Sequence, residues 1–306
     1  MKQRSPDRQS PDLPLGYQAF AHSGAFGDCI GPFGFRPEAA GGFRYAFRSR
    51  PLHANPNGVT HGGALYSFAD HITGHAVVHA TARLCATIKF KVEYLAPAPL
   101  DCLIEGQVEL VRVTRTMVFL RVRLFTGQQT LMTADGAYKL FAPYQPGQYG
   151  SAKPAEALPD NQRPPAPDGF RPFPDQGPYP ELCGPTHYRR LPDGSFINGF
   201  QSRALHDNTN RVVHGGVIFT FADDLMGRTA SGVARRYATT VAMNVEYLAP
   251  GPLDAWIEGT AEITHLDKDM AFIRSRVFHG DRTLLTADGV WRLLRPYVKK
   301  APETAA

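Results

Sequence analysis

The strongest constraint on this chain is that it is written twice. NPNGVTHGGALYSFAD (55–70) returns as NTNRVVHGGVIFTFAD (208–223), VEYLAPAPLDCLIEG (92–106) as VEYLAPGPLDAWIEG (245–259), and LMTADGAYKL (131–140) as LLTADGVWRL (284–293). All three pairs share one offset, 153, which is half of the 306 residues. Between 47–143 and 200–296 no gap is needed, and close to half of the positions are identical. The echo runs back through Gly31-Pro32 and Gly184-Pro185 to Gly16-Tyr17 and Gly169-Phe170. Each unit is long enough to own a core, so this is a duplicated domain and not a solenoid of short repeats.

Between the copies, residues 143–180 are packed with proline, which excludes a sustained helix or an interior strand. The segment reads as a semi-rigid, extended connector, suited to two units lying side by side. The expected division is a first domain with its N-terminal extension over 1–146, a linker over 147–180 and a second domain over 181–306.

Composition removes several function classes. Apolar residues make up 43 % and charged residues 20 %, the balance of a globular chain. No run approaches the roughly 18 apolar residues of a membrane span. The first residues lack the apolar centre of a secretory signal, so a cytoplasmic protein is expected. The net charge of +5 comes from scattered residues, which argues for no nucleic-acid partner. Four cysteines without a C-x-x-C pair support neither a disulfide framework nor a metal-thiolate centre.

Within one copy the hydrophobic period changes once. Over 62–80, Leu65, Phe68, Ala69, Ile72, Ala76 and Ala80 recur at helical spacing. The period then falls to two through CATIKFKVEYL, DCLIEGQVELVRV, MVFLRVRLF and TLMTADGAYKLF, and copy two repeats all four segments. An extended aromatic stretch before the helix, Phe43–Phe47 or Phe196–Phe200, adds another strand. The expected fold class is α+β: in each copy one long helix covers an antiparallel sheet of five to six strands.

The opposite side of the helix carries Gly63, Ser67, Asp70 and Gly74 on one narrow strip, repeated as Gly216, Thr220, Asp223 and Gly227. Glycine inside a helix costs about 0.5–1 kcal/mol relative to alanine, so its retention in both copies suggests close approach by the other copy or by a ligand. Aspartates that simply face water are the competing reading. A glycine pair that opens a helix leaves amide N–H groups at the positive end of the dipole, fit to hold a developing oxyanion. An aspartate two turns along can serve as nucleophile or as base for a water. His71, His75 and His79 recur every fourth residue, but no glutamate follows the first, and they read as a surface stripe with no metal. The alternating Arg121, Arg123, Arg274 and Arg276 read as a solvated sheet face rather than a phosphate site. Neither G-x-S-x-G nor a nucleotide-binding glycine motif is present, so no cofactor is expected.

The string N-x-N-x-V-x-H-G-G-x(6)-A-D, followed by a helix and T-x(4)-V-E-Y-L-A-P, resembles the hotdog-fold acyl-CoA thioesterases, and most nearly the PaaI-type branch of the 4-hydroxybenzoyl-CoA thioesterase superfamily. The resemblance implies a double hotdog that hydrolyses an acyl- or aroyl-CoA at sites between the copies. One site would join Asn55, His61 and Gly62 to Asp223 and Thr240, and the other Asn208, His214 and Gly215 to Asp70 and Thr87. Gly63 and Gly216 would contact substrate, the asparagines would orient water or substrate, and the histidines would orient the loop. Both constellations are complete, so two working sites are expected, with Gly58 against Arg211 as a difference in their entrance loops. Single-hotdog relatives imply a homo-oligomer, a dimer of double hotdogs. The alternatives are a non-catalytic acyl-thioester-binding module and a hotdog hydratase or dehydratase.

Overall fold

The computed structural model describes residues 12–39, 41–144 and 165–297. Copy one runs β1 (Gln18–Ala19), α1 (Gly24–Ile30), β2 (Gly34–Pro37), β3 (Phe43–Arg48), α2 (Gly62–Thr81), β4 (Arg83–Tyr94), β5 (Leu103–Val113), β6 (Met117–Thr126) and β7 (Gln129–Pro143). Copy two repeats the order as β8 (Arg171–Pro172), α3 (Pro178–Cys183), β9 (His187–Arg190), β10 (Phe196–Gln201), α4 (Gly215–Ala234), β11 (Arg236–Tyr247), β12 (Trp256–Leu266), β13 (Met270–His279) and β14 (Arg282–Pro296). The helix-then-four-strands pattern of the sequence is present in both. Two short strands ahead of β3 and of β10 bring the strands among the described residues of each copy to seven, above the expected five to six. They are too brief, at two and four residues, to show a period.

The strands of the described residues form one sheet in the order β1-β2-β3-β5-β6-β7-β4-β11-β14-β13-β12-β10-β9-β8. The halves join where β4 and β11 pair antiparallel, Phe90 opposite Val245, Lys91 opposite Asn244 and Val92 opposite Met243. Lys91 therefore faces its own counterpart, and a pseudo-twofold axis passes between them. Alternation sets the faces: in β6 Val118, Leu120, Val122 and Leu124 are buried, while Phe119, Arg121 and Arg123 face outward.

Helix α2 packs on its own half of the sheet, α4 on the other, and the two helices pack on each other. Tyr66 and Phe219, a counterpart pair, stack with centroids 3.7 Å apart and planes 3° from parallel. Enclosure on both sides explains why Gly63 through Ala69 are all buried, where the sequence predicts an apolar stripe on one face.

Residues 171–180, expected within the connector, carry β8 and open α3; residues 145–164 lie outside the described residues. Counterpart helices α1 and α3 both reach across the seam. The Phe26 amide of α1 donates to Asp207 in copy two at 3.1 Å, and the Tyr179 amide of α3 donates to Ala54 in copy one at 3.1 Å. Of the α2 histidines expected as a surface stripe, His79 is exposed, but His71 and His75 are covered. His71 and His75 pack edge-on against Phe20, at 4.8 and 4.9 Å, and Tyr45 Oη lies 3.0 Å from His75 Nδ1. Burial lowers their pKa values to about 3 and about 4, so both are neutral.

Candidate active site

Gly62 and Gly215 are the first residues of α2 and α4, and His61 and His214 are the N-caps. In each copy the cap is made by the imidazole: the Gly63 and Gly216 amides donate to His61 Nδ1 and His214 Nδ1, both at 2.9 Å. Nδ1 must then be unprotonated, which places the ring proton on Nε2. The Gly62 and Gly215 amides, one position earlier, have no intrahelical acceptor. Of the two glycines in each pair, only the first thus offers a free donor to an incoming oxygen.

The second glycine answers to the neighbouring helix. A Cβ on Gly63 would fall 2.1 Å from Thr220 Oγ1, and one on Gly216 would fall 2.0 Å from Ser67 Oγ. The helices cross at these points, and no larger residue fits. Gly63 and Gly216, expected to contact substrate, thus lie at the close crossing of the two helices, with their amides donating to the caps.

The aspartates lie two turns further along and meet the opposite copy's loop. A Cβ on Gly215 would come within 3.2 Å of Asp70 Oδ2 and 3.3 Å of Tyr247 Oη. Asp223 in turn acts electrostatically on His61 and Tyr94, and a Cβ on Gly62 would lie 3.1 Å from Tyr94 Oη. Thr87 Oγ1 donates to Asp70 Oδ1 and Thr240 Oγ1 to Asp223 Oδ1, each at 2.7 Å. Asp223 is 6 % exposed. Burial pushes its carboxyl up to about 6, against the opposing pull of His61. Neither carboxylate is a freely solvated surface group.

Asn55 and Asn208 shape the loops ahead of the histidines. Asn55 Oδ1 accepts from the Asn57 and Val59 amides at 2.8 and 3.3 Å, and Asn208 Oδ1 from the Asn210 and Val212 amides at 2.7 and 3.4 Å. Their side-chain oxygens are thus held by the loop. Arg211 takes the left-handed φ of 62° that Gly58 takes at 75°, and its guanidinium pairs with Asp207 at 3.0 Å.

Several residues of the site are not singled out by the sequence. Tyr94 and Tyr247, the tyrosines of V-E-Y-L-A-P, donate to the carbonyls of Gly62 and Gly215 at 2.9 and 2.8 Å and so hold the turns that open the helices. Their repetition in both copies is the available signal. Tyr138 donates to Asp70 Oδ1 at 3.1 Å, and its counterpart is Trp291. Tyr179 stacks on His61 at 5.6 Å and Phe26 packs against His214 at 5.3 Å, so α3 and α1 close the backs of the two caps. His61 Nε2 donates to Asp224 across the seam at 3.1 Å. Arg121 bonds Asp135 and Arg123 bonds Thr130 on the outer sheet face, as a solvated face predicts. Among the described residues no cluster of three or more metal-ligating side chains occurs, and no helix is long and apolar enough to cross a membrane.

The thioesterase superfamily model matches residues 57–133 and again 210–286, which together make up half of the chain. The Pseudomonas aeruginosa protein named "putative esterase PA0474" is 26 % identical over 129 residues, 42 % of this chain and 96 % of that protein. Among solved structures, a hot dog fold protein of unknown function from Alicyclobacillus acidocaldarius superposes with a TM-score of 0.61 at 16 % identity, covering 91 % of this chain and 100 % of that one. An acyl-CoA thioesterase II from Mycobacterium marinum gives 0.55 at 11 % identity, covering 87 % and 97 %. These structural likenesses extend over both copies and establish the fold. The chain belongs to the thioesterase superfamily, as two hotdog copies in tandem.

Proposed function

We propose that the protein is an acyl-CoA thioesterase of the PaaI type, with two composite sites in which one copy supplies the helix-opening glycine and the other the aspartate. The observation that carries this reading is the approach of Asp70 Oδ2 to Gly215, a carboxylate of one copy beside a free helix-terminal amide of the other. At such a site the Gly215 amide holds the thioester carbonyl oxygen, and Asp70 takes a proton from water as the water oxygen bonds to the carbonyl carbon. The oxyanion then collapses, the C–S bond breaks, and the thiolate leaves with the electron pair and takes up a proton. Gly62 and Asp223 fill the same roles in the other site. In direct attack the carboxylate oxygen bonds to the carbonyl carbon, the C–S bond breaks to release the thiolate, and water then hydrolyses the resulting anhydride to the acid and the free carboxylate. Neither course requires a cofactor.

Thiol release from a panel of short, long and aromatic acyl-CoAs tests the reading on wild type, Asp70→Asn, Asp223→Asn and the double variant. Each single variant should retain part of the turnover and the double should lose at least about a hundredfold, the scale on which a general base contributes. Binding of acyl-CoA with no thiol released by wild type would replace the enzyme with a binding module.

A further inference from the structure

The two sites descend from one sequence, yet the groups around their carboxylates have diverged. Asp70 Oδ1 accepts from two hydroxyls, Thr87 at 2.7 Å and Tyr138 at 3.1 Å. Tyr138 is itself held, its Oη lying 2.7 Å from Thr73 Oγ1. In copy two the counterparts of Thr73 and Tyr138 are Met226 and Trp291. Both are buried, Met226 takes a hydrogen bond from Ser275 on its sulfur, and among the described residues the side-chain donor to Asp223 is Thr240 alone. The space beside the next glycine differs too. A Cβ on Gly74 would meet nothing within 4 Å, whereas one on Gly227 would lie 3.4 Å from the Trp291 indole.

We propose that Tyr138 is a positioning residue that separates the two sites: it fixes the Asp70 carboxylate through a hydroxyl bond that Asp223 lacks, so the two sites lose activity at different acidities. This rests on the reading of Asp70 and Asp223 as the active carboxylates. The groups around Asp70 are Thr87 and Cys85 from β4, Tyr138 from β7, Tyr66 from its own helix, and Tyr247 and His214 from copy two. His214 is neutral because burial lowers its pKa, so it brings no positive charge to Asp70, and the side-chain donors to the carboxylate among the described residues are hydroxyls. Asp223 faces Thr240, His61, Asp224 and Tyr94, with Arg228 beyond Asp224. Burial lifts the Asp223 carboxyl to about 6, and the adjacent Asp224 charge adds to the rise. A donor to the ionised form favours that form, and this contribution belongs to the Asp70 site.

The experiment uses the single-site enzymes. Asp70→Asn leaves the Asp223 site and Asp223→Asn leaves the Asp70 site, and kcat/KM for a turned-over acyl-CoA is followed from pH 4 to 9. The acid limb of the Asp70→Asn enzyme should lie above that of Asp223→Asn. Adding Tyr138→Phe to Asp223→Asn should raise its limb, while the same change in Asp70→Asn should leave the limb in place. Coincident limbs, or a Tyr138→Phe change that lowers kcat without moving the limb, would overturn the proposal. A 13C titration of labelled aspartate carboxyls in the same variants reads the two groups without turnover. Distinct titrations that respond to Tyr138→Phe in an inactive protein would uphold the pairing and reject only the hydrolase reading.

Discussion

His61 donates its Nε2 proton to Asp224 across the seam at 3.1 Å, and the counterpart of Asp224 in the other copy is a histidine, His71. The same swap occurs one turn on, where Arg228 stands in place of His75. Asp224 and Arg228 approach to 3.8 Å, and Arg228 also reaches Gln176 at 3.2 Å and the face of Phe173 at 4.3 Å. One cap is backed by a paired acid and base and the other by two neutral imidazoles. Either set adds little net charge of its own to the enclosed space.

This pairing predicts an unequal cost for single and double removal. Asp224→Ala leaves Arg228 without its carboxylate and His61 without an acceptor, and should cost about 2–4 kcal/mol. Asp224→Ala with Arg228→Met removes both charges and keeps the apolar contact with Phe173, so it should be the less destabilised of the two. Urea denaturation at pH 7 measures both. A double variant weaker than Asp224→Ala would show that the pair is not coupled.

The helix crossing predicts that Gly216→Ala is poorly tolerated. Alanine would favour the helix by about 1 kcal/mol, but the methyl group would meet Ser67 at Oγ 2.0 Å, Cβ 2.7 Å and Cα 3.0 Å. Because backbone is among these atoms, Ser67→Gly cannot relieve the clash fully. A net loss of about 2 kcal/mol is expected from forcing α2 and α4 apart, with partial recovery in the Gly216→Ala, Ser67→Gly double variant. Thermal denaturation scans of the two proteins provide the comparison.

The buried Asp223 predicts a stability gain that depends on pH. A carboxyl whose folded pKa is about 6, above its ordinary 3.8, binds its proton more tightly in the native state. Stability therefore falls as pH rises through the window between those values, and above it the buried charge is a standing cost. Asp223→Asn keeps an acceptor for Thr240 without the charge. It should exceed wild type by up to about 3 kcal/mol at pH 8, with the gap closing toward pH 4. An unchanged gap across denaturation curves at pH 4, 6 and 8 would contradict the burial of this charge.

Much of the architecture is legible along the chain. The offset of 153 yields two domains, the single change of period yields one helix followed by four strands, and the small-residue strip marks where something must come close. These are local properties, carried by side-chain size and spacing along one element. Two features are not local. The short strands before β3 and β10 show no period because they hold too few residues, and His71 and His75 read as exposed because the aromatic residues that cover them come from the preceding segment.

The sequence by itself determined that there are two hotdog copies and which residue types recur in each, since duplication and periodicity are written along the chain. Only the tertiary structure decided what each recurring residue faces. The aspartate meets the other copy's glycine because the pseudo-twofold at Lys91 and Asn244 turns one helix N-terminus toward the other helix's second turn. The second glycine of each pair serves the helix crossing because its amide is already held by the histidine cap. The inequality of the sites arises the same way, because Tyr138 and Trp291 lie far along the chain from the carboxylates they distinguish, and only the wrapping of β7 and β14 over the helices brings them to bear.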